Sequence, residues 1–120
     1  MADATELPKS SWHEALDSLT REHQGEVVTI EVETSDYGDQ LEAEGLPFSY
    51  VEYDPHDDAV SVGVGGRDGR YPVVLRHVIE RPKSLVLDVS GPDETTALAA
   101  VASDGSETII TLRPRPELPA

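Results

Sequence analysis

The residues with the most capacity for chemistry in this 120-residue chain gather in three places. Asp54-Pro55-His56-Asp57-Asp58 crowds an imidazole and several carboxylates into one short stretch. A divalent cation is held by three or four converging side chains, commonly from separate elements. Proline among aspartates is instead the composition of a turn, and the twelve-residue loop with a central glycine that makes an EF-hand is missing. The segment is expected to be a hairpin turn without a metal. Further on, Gly63-Val-Gly-Gly-Arg67-Asp-Gly69-Arg70 could grip an anion through backbone N–H groups and the guanidiniums of Arg67 and Arg70, with Tyr71 and His77 completing a ligand-binding set. It lacks the Gly-Lys-Ser/Thr ending of a P-loop, and no helix follows to lend its dipole. Glycines that only permit positive φ are the plainer reading. The third place is a run of carboxylates: Glu31, Glu33, Asp36, Asp39, Glu42 and Glu44.

Catalysis has little to stand on. The four histidines (His13, His23, His56 and His77) show no HExxH spacing. His77 lies among apolar neighbours in Arg76-His-Val-Ile-Glu80, where a structural histidine is expected. No Gly-x-Ser-x-Gly turn is present to expose a nucleophile. Glu31 and Glu33 share one face of a strand, but a glycosidase pair flanks a cleft usually lined with aromatics. This chain has one tryptophan, four tyrosines and one phenylalanine. The lack of cysteine excludes a disulfide framework, a thiolate metal site and a thiol nucleophile. The expectation is a protein that is not an enzyme and uses no cofactor.

The elements that would position these residues are read from periodicity. Ser11-Trp-His-Glu14 has the form of a capping box. Trp12, Ala15, Leu16, Leu19 and His23 then recur at helical spacing, and Gly25 offers a left-handed stop, which predicts a helix over 12–24. From Glu26 the period changes to two: Val28, Ile30 and Val32 alternate with Thr29, Glu31 and Glu33 in a strand wet on one side. Residues 34–47 read as a long acidic connection, with room for a helical turn near 40–44. Strands are expected at 48–54 and 59–65, paired as a hairpin, with Val60, Val62 and Val64 inward and Ala59, Ser61 and Gly63 outward. After the glycine loop, 71–79 is extended or irregular and Pro82 ends it. Strands at 85–90, 97–102 and 107–112 follow, the last two joined at Ser103-Asp-Gly-Ser106. The connections are too short for parallel crossovers. The fold class is therefore α+β: one domain over 1–120, with an arm (1–10), a folded core (11–112) and a proline-rich tail (113–120). In the core, an N-terminal helix packs on a curved, mostly antiparallel sheet of five to seven strands, or a small open barrel.

Charge sets the remaining bounds. Lysine and arginine number 9 against 24 aspartates and glutamates, a formal charge of −15. Phosphate binding is driven by cationic side chains, so direct nucleic-acid binding is not expected, nor is attachment to anionic lipid. The N-terminus carries acid where a signal peptide needs base, and the longest apolar run, Ala97 to Ala102, is far too short to span a bilayer; a cytoplasmic protein is expected. No lysine or arginine falls between Arg21 and Arg67, whereas Arg67, Arg70, Arg76, Arg81 and Lys83 follow in close succession. Solubility or adaptation to high salt accounts for such acidity in general. As a functional feature it describes an accessory or interaction domain that presents residues 26–58 to a basic protein partner, or pairs with itself through a sheet edge. The alternatives are a small-ligand or anion sensor built on loop 63–71, and a nucleic-acid mimic.

Several short motifs, in order, carry a resemblance. Trp12 opens the helix and His23-x-Gly25 closes it; Gly38-x-Gln40 leads to Leu46-Pro47; Tyr53-Asp54 precedes the turn; His77-x-Ile79-x-x-Pro82 and Asp104-Gly105 follow. In these the chain resembles a family of small bacterial proteins known only as a domain of unknown function. The resemblance implies no activity or cofactor, and it places Gln40 and His77 in the family's pattern. A helix followed by a small barrel is also similar in outline to Sm-like RNA binders, but the charge speaks against RNA, and fold analogy alone is a poor warrant.

Overall fold

The computed structural model describes residues 4–34, 38–65, 73–89 and 95–114. Helix α1 (Trp12–His23) buries Trp12, Leu16 and Leu19 along one stripe, as its periodicity demands. Its start departs from a capping box. A 3-10 turn at Lys9–Ser11 leads directly into the helix and holds Ser11 in an αR-like conformation (φ −101°, ψ −2°), so its hydroxyl turns back to donate to the Pro8 carbonyl at 2.8 Å instead of capping. The Trp12 indole N–H donates to the Leu7 carbonyl at 2.9 Å and fixes the chain's entry. At the other end Gly25 supplies the left-handed stop with φ +91°. No described helix is long and apolar enough to cross a membrane.

Eight strands follow or precede α1: β1 (Ala4–Glu6), β2 (Val27–Thr34), β3 (Gly38–Asp54), β4 (Ala59–Gly65), β5 (Val73–Glu80), β6 (Pro82–Asp88), β7 (Thr96–Ala102) and β8 (Glu107–Arg113). They form one open antiparallel sheet in the order β1-β6-β7-β8-β2-β3-β4-β5. The strand beyond the expected seven lies in the arm, where Ala4–Glu6 pairs with Val86–Asp88. The first residue of the expected tail is also strand, since Arg113 pairs with Val27. Residues 115–120 lie outside the described residues.

The connection expected at 34–47 is instead mostly strand. The first part of β3 pairs with β2 through Pro47, and its second part, from Phe48, pairs with β4. No helical turn forms near 40–44. Two register shifts against β2, and Gly45 at φ +64°, break the alternation of Leu41, Ala43 and Leu46, so a real strand loses its period-two signature. A third shift between Phe48 and Tyr50 explains why Phe48, Val51 and Tyr53 all point inward despite mixed parity. These bulges bend β3 so that it serves both halves of the curved sheet. The stretch expected to be extended or irregular is extended over its described residues, and Pro82 does not end it. Residues 73–80 form a regular strand, Arg81 turns the chain at φ +47°, and Pro82 opens β6.

The concave side of the sheet and the apolar stripe of α1 enclose the core, in which Ile30, Val62, Leu85, Leu98 and Ile110 are fully buried. Each such side chain contributes roughly 1.5–3 kcal/mol on removal from water. Strand β4 is buried on both sides. Val60, Val62 and Val64 face the core as expected, but Ser61 and Gly63 are also covered, Gly63 by the Tyr50 ring and Ser61 beneath Arg76, whose guanidinium donates to Ser61 Oγ at 3.3 Å.

Candidate functional site

The convex side of β1, β6, β7, β8, β2 and β3 is where the acidic residues of greatest interest meet. Followed across the strands at one level, successive register partners are Glu6, Val86, Ala99, Ile109, Glu31 and Leu41. A second level runs Ser84, Val101, Glu107, Glu33 and Asp39. A third joins Asp88 to Ala97, Thr111 and Thr29. Alternation puts Leu98, Ala100, Ile110 and Ile30 inside and leaves the neighbours on β1, β6, β7, β8 and β2, together with Leu41 on β3, on the outer face, half-buried or exposed, with Leu41 54% exposed. The face thus has an apolar centre of valine, alanine and isoleucine, and carboxylates on either flank.

The sequence places six acids together; the fold divides them. Glu31 and Glu33 lie on the outer face of β2, with Glu33 between Glu107 on β8 and the position of Asp39 on β3. Like charges directly opposite across a ladder oppose folding. Glu44 is exposed beside the Gly45 bulge. Glu42 stands apart from the others, close enough to His77 to favour its protonated form. Asp36 lies outside the described residues. Glu107, Glu6 and Asp88 were hidden from sequence reasoning because strand order alone brings them to this face. One signal was available: β7 reads Ala97-Leu-Ala-Ala-Val-Ala102, apolar at both parities, and β8 carries Ile109 and Ile110 side by side. Such strands leave an apolar strip on the outer face as well as the inner one, where Ala97, Ala99, Val101 and Ile109 are half-buried.

Of the ligand set expected around the glycine loop, Arg67, Arg70 and Tyr71 lie outside the described residues. His77 projects from β5 into a groove of about 300 Å³ shared with Val32, Ile79, Ala102 and Thr108. Burial lowers the pKa of its imidazole, and Glu42 opposes that shift.

The Asp54–Asp58 segment is a turn, as its composition requires. Asp54 Oδ1 accepts from the His56 backbone N–H at 2.8 Å. Asp58, at φ +51°, accepts from the Tyr53 hydroxyl at 2.6 Å and lies 3.5 Å from Lys9 Nζ. That hydrogen bond raises the Tyr53 phenol to about 12, with burial adding to it, and lowers the Asp58 carboxyl. Tyr53 meets Trp12 edge-on with centroids 5.1 Å apart, and Lys9 lies over the indole at 5.6 Å. The cluster ties the β3–β4 turn to the start of α1 through Tyr53, Asp58, Lys9 and Trp12.

Among family descriptions, a family of unknown function, DUF5335, matches residues 3–120. An uncharacterised protein of Aquifex aeolicus (strain VF5) is 27% identical over 113 residues, covering 94% of this chain and 95% of that protein. No solved structure matches the chain.

Proposed function

We propose, for a chain that belongs to the DUF5335 family of unknown function, a non-enzymatic interaction domain of the bacterial cytoplasm whose convex sheet face receives a basic partner. The observation that carries this reading is the level Glu6–Val86–Ala99–Ile109–Glu31–Leu41: apolar in the middle, acidic on both flanks, and without lysine or arginine. Contiguous apolar surface rimmed by charge is the anatomy of a docking face. Its complement is an apolar patch bordered by lysine or arginine. The carboxylates would speed encounter and select the sign of the partner, and the apolar centre would supply most of the affinity.

The test is capture from host lysate at low and moderate salt. The tagged wild-type chain is compared with Glu31→Gln/Glu33→Gln/Glu107→Gln and with Ile109→Ser, each checked for an unchanged circular dichroism spectrum. The expected result is a stoichiometric basic protein, released by salt and lost from both variants. A partner that both variants retain, or none at either salt, sinks the reading.

A further inference from the structure

Sheet edges expose rows of unpaired N–H and C=O groups, and natural chains protect them. Two such edges are covered here. Where β2 leaves β3, Thr20 Oγ1 on α1 donates to the Val51 carbonyl at 2.8 Å and accepts from its N–H at 3.0 Å. Gly25 N–H and Glu26 C=O serve Phe48 in the same way, at 2.9 and 2.7 Å. The edge of β6 is covered by β1 and by Leu7, whose N–H donates to the Leu85 carbonyl at 2.8 Å. Strand β1, which then becomes one end of the sheet, has only three residues. The other end is β5, with eight residues and no lysine or proline; its register to β4 is unbroken from Leu75 to Glu80. Among the described residues, no backbone hydrogen bond reaches it from the side away from β4.

The ladder fixes which of its groups are free. Arg81 N–H donates to the Asp58 carbonyl at 2.8 Å, so in this antiparallel pair residues 81, 79 and 77 turn their N–H and C=O toward β4. The Thr20 bonds to Val51 agree, because they leave Val62 directed at His77. Arg76, Val78 and Glu80 therefore direct theirs outward. Val78 is 44% exposed, and Arg76 and Glu80 are exposed on the same face.

We infer that two copies of this chain pair antiparallel through β5, with Val78 at the two-fold axis and Arg76 of each copy opposite the partner's Glu80. In that register Val78 and the partner's Val78 exchange both backbone bonds, and both flanking cross-strand pairs join opposite charges. A strand that is complementary to itself under a two-fold rotation forms a closed, isologous interface. Arg76 on β5 and Arg81 just after it share a hollow with Glu52, Asp54, Asp57, Asp58 and Glu80, so it is the opposed Arg76 and Glu80, and not net charge, that favour this register. The pairing uses the sheet end and not the convex face, so it stands or falls separately from the proposed partner site.

Sedimentation velocity of the full chain over a concentration series tests it. Wild type is expected to show a monomer–dimer equilibrium. Glu80→Arg and Arg76→Glu each set like charges opposite one another and should raise the dissociation constant about tenfold or more. An equimolar mixture of the two should form a heterodimer, and the doubly exchanged R76E/E80R chain should dimerise again. Because Arg76 also bonds Ser61, thermal melts of each variant establish folding before association is read. Val78→Pro removes an outward N–H and no β4 bond, and should leave a folded monomer. A wild-type chain that stays monomeric throughout, single variants that associate like wild type, or a mixture that does not associate would each overturn the inference.

Discussion

His77 shows how one residue type is read differently from sequence and from structure. Its apolar neighbours mark it as structural, and its place in the family-like motif marks it as worth notice; neither says that it faces a groove beside Val32 and Thr108. That placement gives a pH dependence. Burial holds its folded pKa below the ordinary 6.5, so the folded state resists a proton that the unfolded chain accepts. Its contribution to stability is whole above the unfolded value and falls as pH drops below about 6.5 toward the folded value, then levels off. Chemical denaturation of His77→Gln against wild type, between neutral and mildly acid pH, should show the variant losing less stability over that interval. Identical pH profiles would mean that the imidazole is not effectively desolvated. Thermal melts with a panel of phosphates and nucleotides address the groove as a ligand site, because a ligand bound to the native state raises the midpoint.

At the scale of elements, legibility followed periodicity. Helix α1 was clear because Trp12, Leu16 and Leu19 repeat without interruption, and the turns at Asp54 and Asp104 were clear because aspartate hydrogen-bonds locally; Asp104 Oδ1 accepts from Ser106 N–H at 2.9 Å. The start of α1 was misread because a serine three residues before a glutamate fits more than one local geometry, and the 3-10 turn uses the serine hydroxyl first. The first half of β3 was missed because bulges erase the very alternation by which a strand is recognised. Strand β1 was missed because three residues carry no period at all. The interplay of helix and sheet makes its own prediction. Thr20 stands in for a neighbouring strand along β3, so Thr20→Val leaves the Val51 N–H and C=O without that partner. A loss of about 1–3 kcal/mol is expected in urea titration. A loss under half a kcal/mol would mean that water replaces the hydroxyl freely.

For the whole molecule, composition was informative and arrangement was not. The acidity, the α+β class, the antiparallel order and the family resemblance were all legible, and the family match in fact extends over residues 3–120. The convex face was not, because nothing in the sequence states that β8 lies between β7 and β2, which is what brings Glu107 to Glu33. With a charge of −15 and carboxylates opposed across strands, the folded state repels itself. Its melting midpoint should rise between about 0.01 M and 0.5 M sodium chloride, as the screening length shrinks from roughly 30 Å to a few Å. A flat or falling midpoint would show that the charges are spaced too widely to matter. The strand order also governs when the protein can exist at all. The last described strand, β8, fills the middle of the sheet between β7, made just before it, and β2, made much earlier. During synthesis the β2–β5 half and the β6–β7 hairpin must therefore wait, each with an open seam, until residues 107–113 have emerged. Completion then depends on contacts between distant parts of the chain, the slow kind. Until then the nascent protein holds an incomplete sheet, when a chaperone would have the most to hold.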